Sequence, residues 1–434
     1  GHQSLIPVPD IDHTQYMLII GGNPLASNGS IMTVPNVPKR LKAIQQRGGR
    51  FIVIDPRRTE TAEIADQHLF IRPGTDAFLL MAMLNTLFTE GLAKTGHLTD
   101  LLIGVDDVRA ACEPFTAELA EQRTGIAAEQ VRQLARDLAN IDGAVCYGRM
   151  GVSVQVYGTL CQWAIHMINI FSGSLDVRGG MMASSPAMGY IKPGESGAGH
   201  FAAFHSRVSG QPEFAGELPS SVMAEEMLTE GDGQIRALVT VAGNPVLSAP
   251  NGRQVDKALS GLDFMVSIDF YINETTQHAD IILPPTSALE HDHYDIAFYR
   301  LAVHNTTRFN EPVFDAAVGA LHDWEIFNGL GKAIAERKGI DVKLLPSPDK
   351  LIDMGIQYGP YGAAAGHPLA LTLDKIKQHP HGLDLGRLEP SLPERLCTQD
   401  GKITLLADYI VKDIARLSSD KVITEDDEFL LIGR

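Results

Sequence analysis

A short apolar run that ends in Gly-Asn-Pro occurs twice in this chain of 434 residues, and it limits the possible fold more than any other feature. The first copy covers residues 16–24 and the second covers residues 237–245. A continuous apolar run of this length is typical of a strand that is buried on both faces of a parallel sheet. The Gly-Asn-Pro turn after each run leads into a helix. The two copies therefore predict two separate parallel sheets.

The agreement between the two copies continues beyond the turn. A second apolar run ends in Asp55 in the first copy and in Asp269 in the second. In both copies Glu-Thr begins five residues after this aspartate and Ala-Asp begins ten residues after it. Identical residues in a fixed register after the same turn indicate an internal duplication. We predict an α/β protein with two doubly wound, mostly parallel Rossmann-like domains.

The order of these elements predicts the domain boundaries. The first α/β domain is expected over residues 1–145 and the second over residues 146–345, with an irregular region over residues 346–434. Residues 179–233 are also irregular, and such a long segment is expected to line a cleft or to wrap a neighbour. Helices are predicted over residues 36–47, 77–89, 127–139, 156–172 and 323–338.

Both ends of the sequence suggest a piece of a longer protein. The chain begins with Gly rather than Met, and its last apolar residues resemble the start of a strand. We therefore expect a C-terminal region that leads into a truncated domain.

The composition excludes several classes of protein. A formal charge of −17 argues against a nucleic-acid or anionic-membrane surface, since both require a basic face. No apolar stretch reaches the roughly 18 residues of a membrane span.

The cysteines are Cys112, Cys146, Cys161 and Cys397. They are too far apart for a Cys-x-x-Cys metal or iron–sulfur site, and they favour a reducing, cytoplasmic location, although the visible N-terminus leaves an export signal open.

Polar residues follow the predicted strands at the edge where ligands bind in doubly wound sheets. Asp55 and Asp269 are suited to accept hydrogen bonds from ribose hydroxyls. Asp76, in a Pro-Gly-Thr-Asp turn, is suited to accept two N–H donors from a guanine edge, and Arg57 to stack on a base or to offset pyrophosphate charge. Neither turn has the Gly-x-Gly-x-x-Gly pattern, so a nicotinamide dinucleotide is disfavoured. The alternative is that these turns only cap the strands.

The densest group of possible metal ligands is residues 290–295, Glu-His-Asp-His-Tyr-Asp. Alternation along a strand would place His291 and His293 on one face, where they could bind a divalent cation. A solvated loop or a turn that contacts a ligand is the favoured interpretation. No nucleophilic triad and no acid–base pair of carboxylates is evident, so the sequence predicts no self-contained active site.

Taken together, the motifs resemble those of the molybdopterin oxidoreductases. They are the two Gly-Asn-Pro turns, residues 54–62 (Ile-Asp-Pro-Arg-Arg-Thr-Glu-Thr-Ala), residues 72–76 (Arg-Pro-Gly-Thr-Asp) and residues 279–284 (Ala-Asp-Ile-Ile-Leu-Pro). This family of bis-molybdopterin-guanine-dinucleotide enzymes includes formate dehydrogenases, nitrate reductases and dimethyl sulfoxide reductases. The resemblance covers about residues 5–340 and is greatest to the formate-dehydrogenase-like branch.

The resemblance implies that each α/β domain holds the guanosine end of one pterin cofactor. The residues it implies for the first guanosine site are Gly22, Asn23, Ser27, Asp55, Arg57, Gly74, Thr75 and Asp76. Those implied for the second are Gly243, Asn244, Ile268, Asp269, His291 and Asp323. Those implied to pass close to the pterin are Met150, Gly151 and Gln155, with Gln155 shifted by one position against some relatives.

The chain departs from the family pattern at both ends. The family's N-terminal cysteine cluster for a [4Fe-4S] centre, its metal-ligating residue and its C-terminal barrel domain are not found in this sequence. The resemblance therefore implies the central portion of a molybdenum or tungsten oxidoreductase, inactive alone. Its implied partners are a small-molecule substrate and an electron-transfer subunit or carrier.

Two other interpretations stay open. One is a non-catalytic relative of the respiratory-complex type, and the other is a generic nucleotide-binding or protein-interaction module. The retained Asp55, Asp76 and Asp269 favour the redox enzyme, because a degenerate pocket has no reason to keep base and ribose acceptors.

Overall fold

A computed structural model describes residues 5–29, 31–189 and 200–420 of the chain. The chain divides into two compact units. Unit 1 comprises Gly1–Gly197, Ile296–Thr307 and Leu383–Arg434, and unit 2 comprises Ala198–Asp295 and Arg308–Gly382.

The secondary structure alternates between strands and helices through most of the described chain. The strands are β1 (Val8–Pro9), β2 (Tyr16–Ile20), β3 (Arg50–Ile54), β4 (Gln67–Leu69), β5 (Leu102–Ile103), β6 (Ala144–Gly148), β7 (Met181–Met182), β8 (Phe201–His205), β9 (Pro212–Phe214), β10 (Ala237–Val241), β11 (Phe264–Ile268), β12 (Ile281–Ile282), β13 (Asn305–Thr307), β14 (Leu383–Gly386) and β15 (Ile403–Thr404). The helices are α1 (Pro24–Ser27), α2 (Val37–Gln46), α3 (Glu60–Ile64), α4 (Asp76–Thr89), α5 (Val105–Cys112), α6 (Ala117–Thr124), α7 (Ala128–Asn140), α8 (Met150–Ser153), α9 (Gly158–Phe171), α10 (Met223–Leu228), α11 (Pro245–Ser248), α12 (Gly252–Leu259), α13 (Asp323–Lys338), α14 (Pro348–Gln357), α15 (Leu373–Lys377) and α16 (Asp408–Ser418).

Unit 1 is built on a four-stranded parallel sheet in the order β4-β3-β2-β6. All five residues of β2 are buried, because helices cover both faces of the sheet. Alternate residues of β2 belong to two different apolar clusters. Tyr16, Leu18 and Ile20 pack with α4, α7 and α9, whereas Met17 and Ile19 pack with α2. This alternation follows from the strand geometry, in which successive side chains point to opposite faces.

Unit 2 is built on a smaller parallel sheet in the order β10-β11-β12. Strand β11 is buried over its last four residues, but β10 lies at an edge of the sheet, with Val239 51% exposed and Val241 44% exposed. A small apolar cluster forms between this sheet and the helices α10 and α12.

The α/β class and the parallel sheets predicted from the sequence are confirmed. The five predicted helices appear within one or two residues at each end, as α2, α4, α7, α9 and α13. No helix in the described ranges is long and apolar enough to cross a membrane.

The division into units differs from the predicted domain boundaries at residues 145 and 345. Strand β6 lies in unit 1 because it pairs with β2 along its whole length. The buried side chain of Asn169 fixes α9 to the same strand, accepting from the Cys146 N–H at 3.0 Å and donating to the Cys146 carbonyl at 2.8 Å. The regions expected to be irregular also contain regular elements, namely β8, β9 and α10 in residues 200–233 and α14, α15 and β14 in residues 346–395. Residues 190–199 of the first region lie outside the described residues.

Candidate functional site

The four parallel strands of unit 1 end at the same edge of the sheet, and we call the residues at this edge the first cradle. It brings together ten of the residues named from the sequence, and Ser27 lies nearby at the end of α1. The ten are Gly22 and Asn23 after β2, Asp55 and Arg57 after β3, Gly74, Thr75 and Asp76 after β4, and Met150, Gly151 and Gln155 after β6.

Asn23 holds the turn after β2 in place. Its side-chain oxygen accepts from the Thr61 hydroxyl at 2.8 Å, and its nitrogen donates to the Glu60 carboxylate at 2.7 Å. The exposed Ser27 hydroxyl donates to the Asn23 carbonyl at 3.0 Å. Both ends of the Asn23 amide are thus used inside the protein. These bonds fix the turn after β2 against α3.

Two glycines bring the turns after β2 and β6 into direct contact. Gly21 has a φ of +57°, and a Cβ added to it would lie 2.7 Å from the Val152 backbone nitrogen. The Gly151 N–H donates to the Gly21 carbonyl at 2.9 Å. A side chain at either glycine would separate the two turns. Gly21 was not identified from the sequence as a site residue, although its place directly before Gly22 was the available signal.

Asp55 closes β3 and is held by the backbone that follows it. One carboxylate oxygen accepts the Arg57 N–H at 2.8 Å. Burial raises the pKa of Asp55, and its neighbours Arg57 and His68 act in the opposite direction. The Arg57 guanidinium is half exposed and lies 3.6 Å from the Glu60 carboxylate. A cation therefore lies at the rim of the cradle, in a position to meet an anionic group.

Asp76 begins α4 and is only 5% exposed. The Gln155 Nε2 group donates to its carboxylate at 2.9 Å. Burial raises the pKa of Asp76 to about 6, and the nearby Asp55 adds to this effect. A carboxylate has lone pairs for about four donors. Asp76 therefore has spare acceptor capacity for a ligand that brings N–H groups.

Two buried polar atoms lie next to the turn after β6 with no partner among the described residues. They are the Gln155 side-chain oxygen and the Arg149 Nε. The aliphatic part of Arg149 faces Gly22, since a Cβ added to Gly22 would lie 3.3 Å from the Arg149 Cβ. Arg149 was not identified from the sequence, and its place directly after β6 was the only signal. Orphaned donors and acceptors at one edge fit a ligand with both polarities.

In unit 2, the carboxyl ends of β10 and β11 form a second cradle with the same contacts. The Asn244 side-chain oxygen accepts from the Thr275 hydroxyl at 2.7 Å, and its nitrogen donates to the Glu274 carboxylate at 2.8 Å. Asp269 follows the buried Ile268 and accepts the Tyr271 N–H at 3.0 Å. These three bonds match those of Asn23 and Asp55 in the first cradle, atom for atom.

The remaining residues named for the second cradle lie in the same unit. Gly243 has room for a side chain, because the nearest atom to an added Cβ is 3.5 Å away. Asp323 is the first residue of α13 and follows the N-cap residue His322. The His291 ring lies with its centre 6.1 Å from the centre of the His322 ring, and its Nδ1 is 2.8 Å from the Asp292 carbonyl. The structure thus brings His291 close to the start of α13.

The interpretation of His291 and His293 as a cation site gains no support. Within the described parts of the chain, no group of three or more His, Cys, Asp or Glu side chains is arranged to hold a metal ion. His293 is exposed and its backbone pairs with Asn310, so a polar turn is the better description.

Comparison with known proteins gives a consistent result. The family model of the molybdopterin oxidoreductases matches residues 2–333. The chain is 28% identical over 352 residues to the assimilatory nitrate reductase catalytic subunit of Bacillus subtilis, covering 76% of this chain and 47% of that protein. It is 30% identical over 302 residues to the F420-dependent formate dehydrogenase subunit alpha of Methanocaldococcus jannaschii, covering 66% of this chain and 43% of that protein.

Among solved structures, acetylene hydratase from Pelobacter acetylenicus has a similar fold, with a TM-score of 0.72. The two sequences are 20% identical, and the match covers 94% of this chain and 57% of that chain. The chain spans about half the length of the curated relatives it matches.

Proposed function

Because the chain belongs to the molybdopterin oxidoreductase family, we propose that it holds the two guanosine ends of a bis-molybdopterin guanine dinucleotide cofactor. Membership of the family implies a molybdopterin cofactor with molybdenum or tungsten. Each unit would carry one guanosine site, the first cradle in unit 1 and the second cradle in unit 2.

The observation that carries this proposal is the repetition of side-chain contacts between the two cradles. In both, an asparagine after the first strand bonds to a Glu-Thr pair, and an aspartate after the second strand accepts the N–H two residues later. Chance does not account for matching side-chain bonds in the same order and register. We attribute them to duplication of one ancestral nucleotide-binding unit.

The residues of the first cradle divide into three tasks. Asp55 would accept from the ribose hydroxyls, as its counterpart Asp269 would in the second cradle. Asp76 would accept the two N–H groups of the guanine edge, and Arg57 would offset the charge of the pyrophosphate. Gly74 and Thr75 precede α4, where backbone N–H groups favour an anionic ligand.

The fit between these residues and the cofactor rests on their chemistry. The first cradle offers a buried carboxylate with spare acceptor capacity, a rim cation, and a buried donor and acceptor without partners. A guanine nucleotide supplies N–H donors, phosphate oxygens and hydroxyls, which match that set. When bound, the metal and pterins would supply the redox chemistry, while these residues would bind and orient the nucleotide ends.

The activity of the whole protein is proposed from its relatives. The matched formate dehydrogenase is named as a subunit alpha, which favours a formate-dehydrogenase-like enzyme with an electron-transfer partner. The family resemblance implies a metal ligand and a [4Fe-4S] cluster that lie outside these residues. We therefore expect the 434-residue chain by itself to bind nucleotide without turning over substrate.

Calorimetric titration of the chain with GDP, with ADP as the control, tests this proposal. We expect GDP to bind, and ADP to bind the first cradle at least tenfold more weakly, because the adenine edge does not present two adjacent donors to Asp76. Equal binding of both would favour a generic nucleotide-binding module. Binding of neither would favour a non-catalytic relative in which the turns only cap the strands.

A further inference from the structure

The Gln155 side chain lies on the carboxylate that the proposed function assigns to the base. Its Nε2 donates to one oxygen of Asp76 at 2.9 Å and also to the Gly151 carbonyl at 3.0 Å. An amide N–H donor therefore already occupies Asp76, in the manner that a ring N–H of guanine would.

The other end of the same amide is poorly accommodated. The Gln155 side-chain oxygen is buried and has no hydrogen-bond partner among the described residues. Leaving a buried acceptor unsatisfied costs free energy comparable to that gained from one hydrogen bond. The unsatisfied oxygen therefore offsets part of the free energy gained from the bond to Asp76, and a donor without this cost can displace the Gln155 amide.

The segment that carries Gln155 has room to release it. The flanking side chains of Val154 and Val156 are 57% and 71% exposed. The Gln155 Nε2 group also donates to the Gly151 carbonyl, four residues earlier in the chain, and a rotation of the side chain away from Asp76 would not have to break that bond. Release therefore costs one hydrogen bond rather than two, and it frees the orphaned oxygen to reach solvent.

We propose that Gln155 and the guanine base exchange at Asp76, so that the base binds by displacing the Gln155 amide. This rests on the proposed function, in which Asp76 receives the base. A guanine edge gains from the exchange because it offers two adjacent N–H groups where the glutamine supplies one. A ligand that offers a single donor only replaces one bond with another.

The exchange predicts that removal of Gln155 strengthens GDP binding. In a chain with the second cradle disabled by Asp269→Ala, Gln155→Ala should bind GDP about 3- to 10-fold more tightly, the equivalent of losing one partly offset hydrogen bond. Gln155→Asn, whose amide is one methylene shorter, should act in the same direction. Calorimetry measures the affinity, and thermal unfolding of each variant confirms that the fold is retained.

The matched control is Gln162→Ala in the same background. Gln162 lies in the neighbouring helix α9 and donates to the Ser153 hydroxyl at 2.8 Å and the Gly148 carbonyl at 3.4 Å. It makes no bond to Asp76, so its loss should leave the affinity for GDP unchanged.

The remaining outcomes separate the two proposals. Unchanged or weaker GDP binding by both Gln155 variants would overturn the exchange, since it would show that Gln155 is neutral or holds Asp76 in its binding position. The GDP site itself would still stand. Failure of the parent chain and of every variant to bind GDP would overturn the proposed function, and the exchange with it.

Discussion

Units 1 and 2 present the same turn in two different environments. In unit 1 the turn after β2 is enclosed, because β6 pairs with β2 and the turn after β6 lies on Gly21. In unit 2 the matching strand β10 lies at the edge of the sheet formed by the described strands, and its apolar side chains are half exposed. The residue at the position of Gly21 is Ala242, with a φ of +47°. The left-handed backbone is thus common to both turns, and the requirement for glycine is not.

The same comparison applies to the third strand of each sheet. Asp76 lies nine residues after the start of β4, and Glu290 lies nine residues after the start of β12. Asp76 is buried and accepts from Gln155, whereas the Glu290 carboxylate accepts the Ser287 N–H of its own turn at 2.8 Å. An acidic residue with free acceptor capacity is therefore found in the first cradle, and its counterpart in the second is used to hold the local backbone.

The largest effect is expected from exchanging the residues of the two turns. Gly21→Ala would place a Cβ within 2.9 Å of three backbone atoms of Gly151 and Val152, which cannot move independently. We expect it to lower the free energy of unfolding by about 2–4 kcal/mol, through overpacking and left-handed strain. Ala242→Gly should change it by less than about 1 kcal/mol, because relief of strain offsets the added chain entropy. Urea unfolding of both variants measures the difference, and equal effects would show that the two turns are packed alike.

The next effect concerns the dependence of stability on pH. Burial raises the pKa of Asp76 to about 6. Between about pH 4 and pH 6 the Asp76 carboxyl is therefore protonated in the folded chain, whereas it is ionised in the unfolded chain. The free energy of unfolding should therefore fall as the pH rises through this window. Asp76→Asn should remove that slope and stabilise the chain at neutral pH by about 2–3 kcal/mol.

Glu290 supplies the contrasting case. The Ser287 backbone N–H lowers the pKa of Glu290, so this carboxylate stabilises the fold at neutral pH and loses its contribution as the pH falls. Glu290→Gln should therefore reduce the fall in the free energy of unfolding as the pH is lowered. Asp76→Asn should instead reduce the fall in the free energy of unfolding as the pH is raised. Denaturation curves recorded from pH 3 to pH 8 measure both slopes, and slopes of the same sign would contradict the assigned environments.

The smallest effect distinguishes how the two cradles hold a phosphate group. Arg57 and Tyr271 occupy equivalent positions in the two cradles. Each donates its backbone N–H to the aspartate two residues earlier, Asp55 or Asp269. With the other cradle disabled, Arg57→Ala should weaken GDP binding about 3- to 10-fold and reduce its sensitivity to salt, because a screened charge is lost. Tyr271→Ala removes no charge and keeps the backbone N–H that Asp269 accepts, so it should leave the salt dependence of GDP binding unchanged. Titrations at low and high ionic strength measure this, and the same salt response in both would remove the distinction.

The sequence predicted the parts of the molecule that depend on local pattern. The parallel strands followed from their continuous apolar runs, although β10 is half exposed at an edge rather than buried as expected. The helices α4, α9 and α13 were recognised from their spacing within one or two residues. The positions of Asp55 and Asp269 at strand ends also followed, because each closes an apolar run.

The sequence did not predict the features that depend on contacts between distant segments. The placement of β6 in unit 1 depends on pairing with β2, more than 100 residues earlier in the chain. The contact between Gln155 and Asp76 joins residues 79 positions apart, and the burial of Asp76 follows from that packing. The family resemblance implied a place close to the pterin for Gln155, which stays a prediction, and it did not indicate the hydrogen bond to Asp76.

The number of GDP molecules bound per chain tests most directly whether each of the two cradles holds a guanine nucleotide. Equilibrium dialysis at saturating GDP should give two per chain for the wild type, and one per chain for Asp55→Ala and for Asp269→Ala. Together the two substitutions should abolish binding. A single site in the wild type, or full binding retained by both single variants, would show that the two cradles do not each hold a guanine nucleotide.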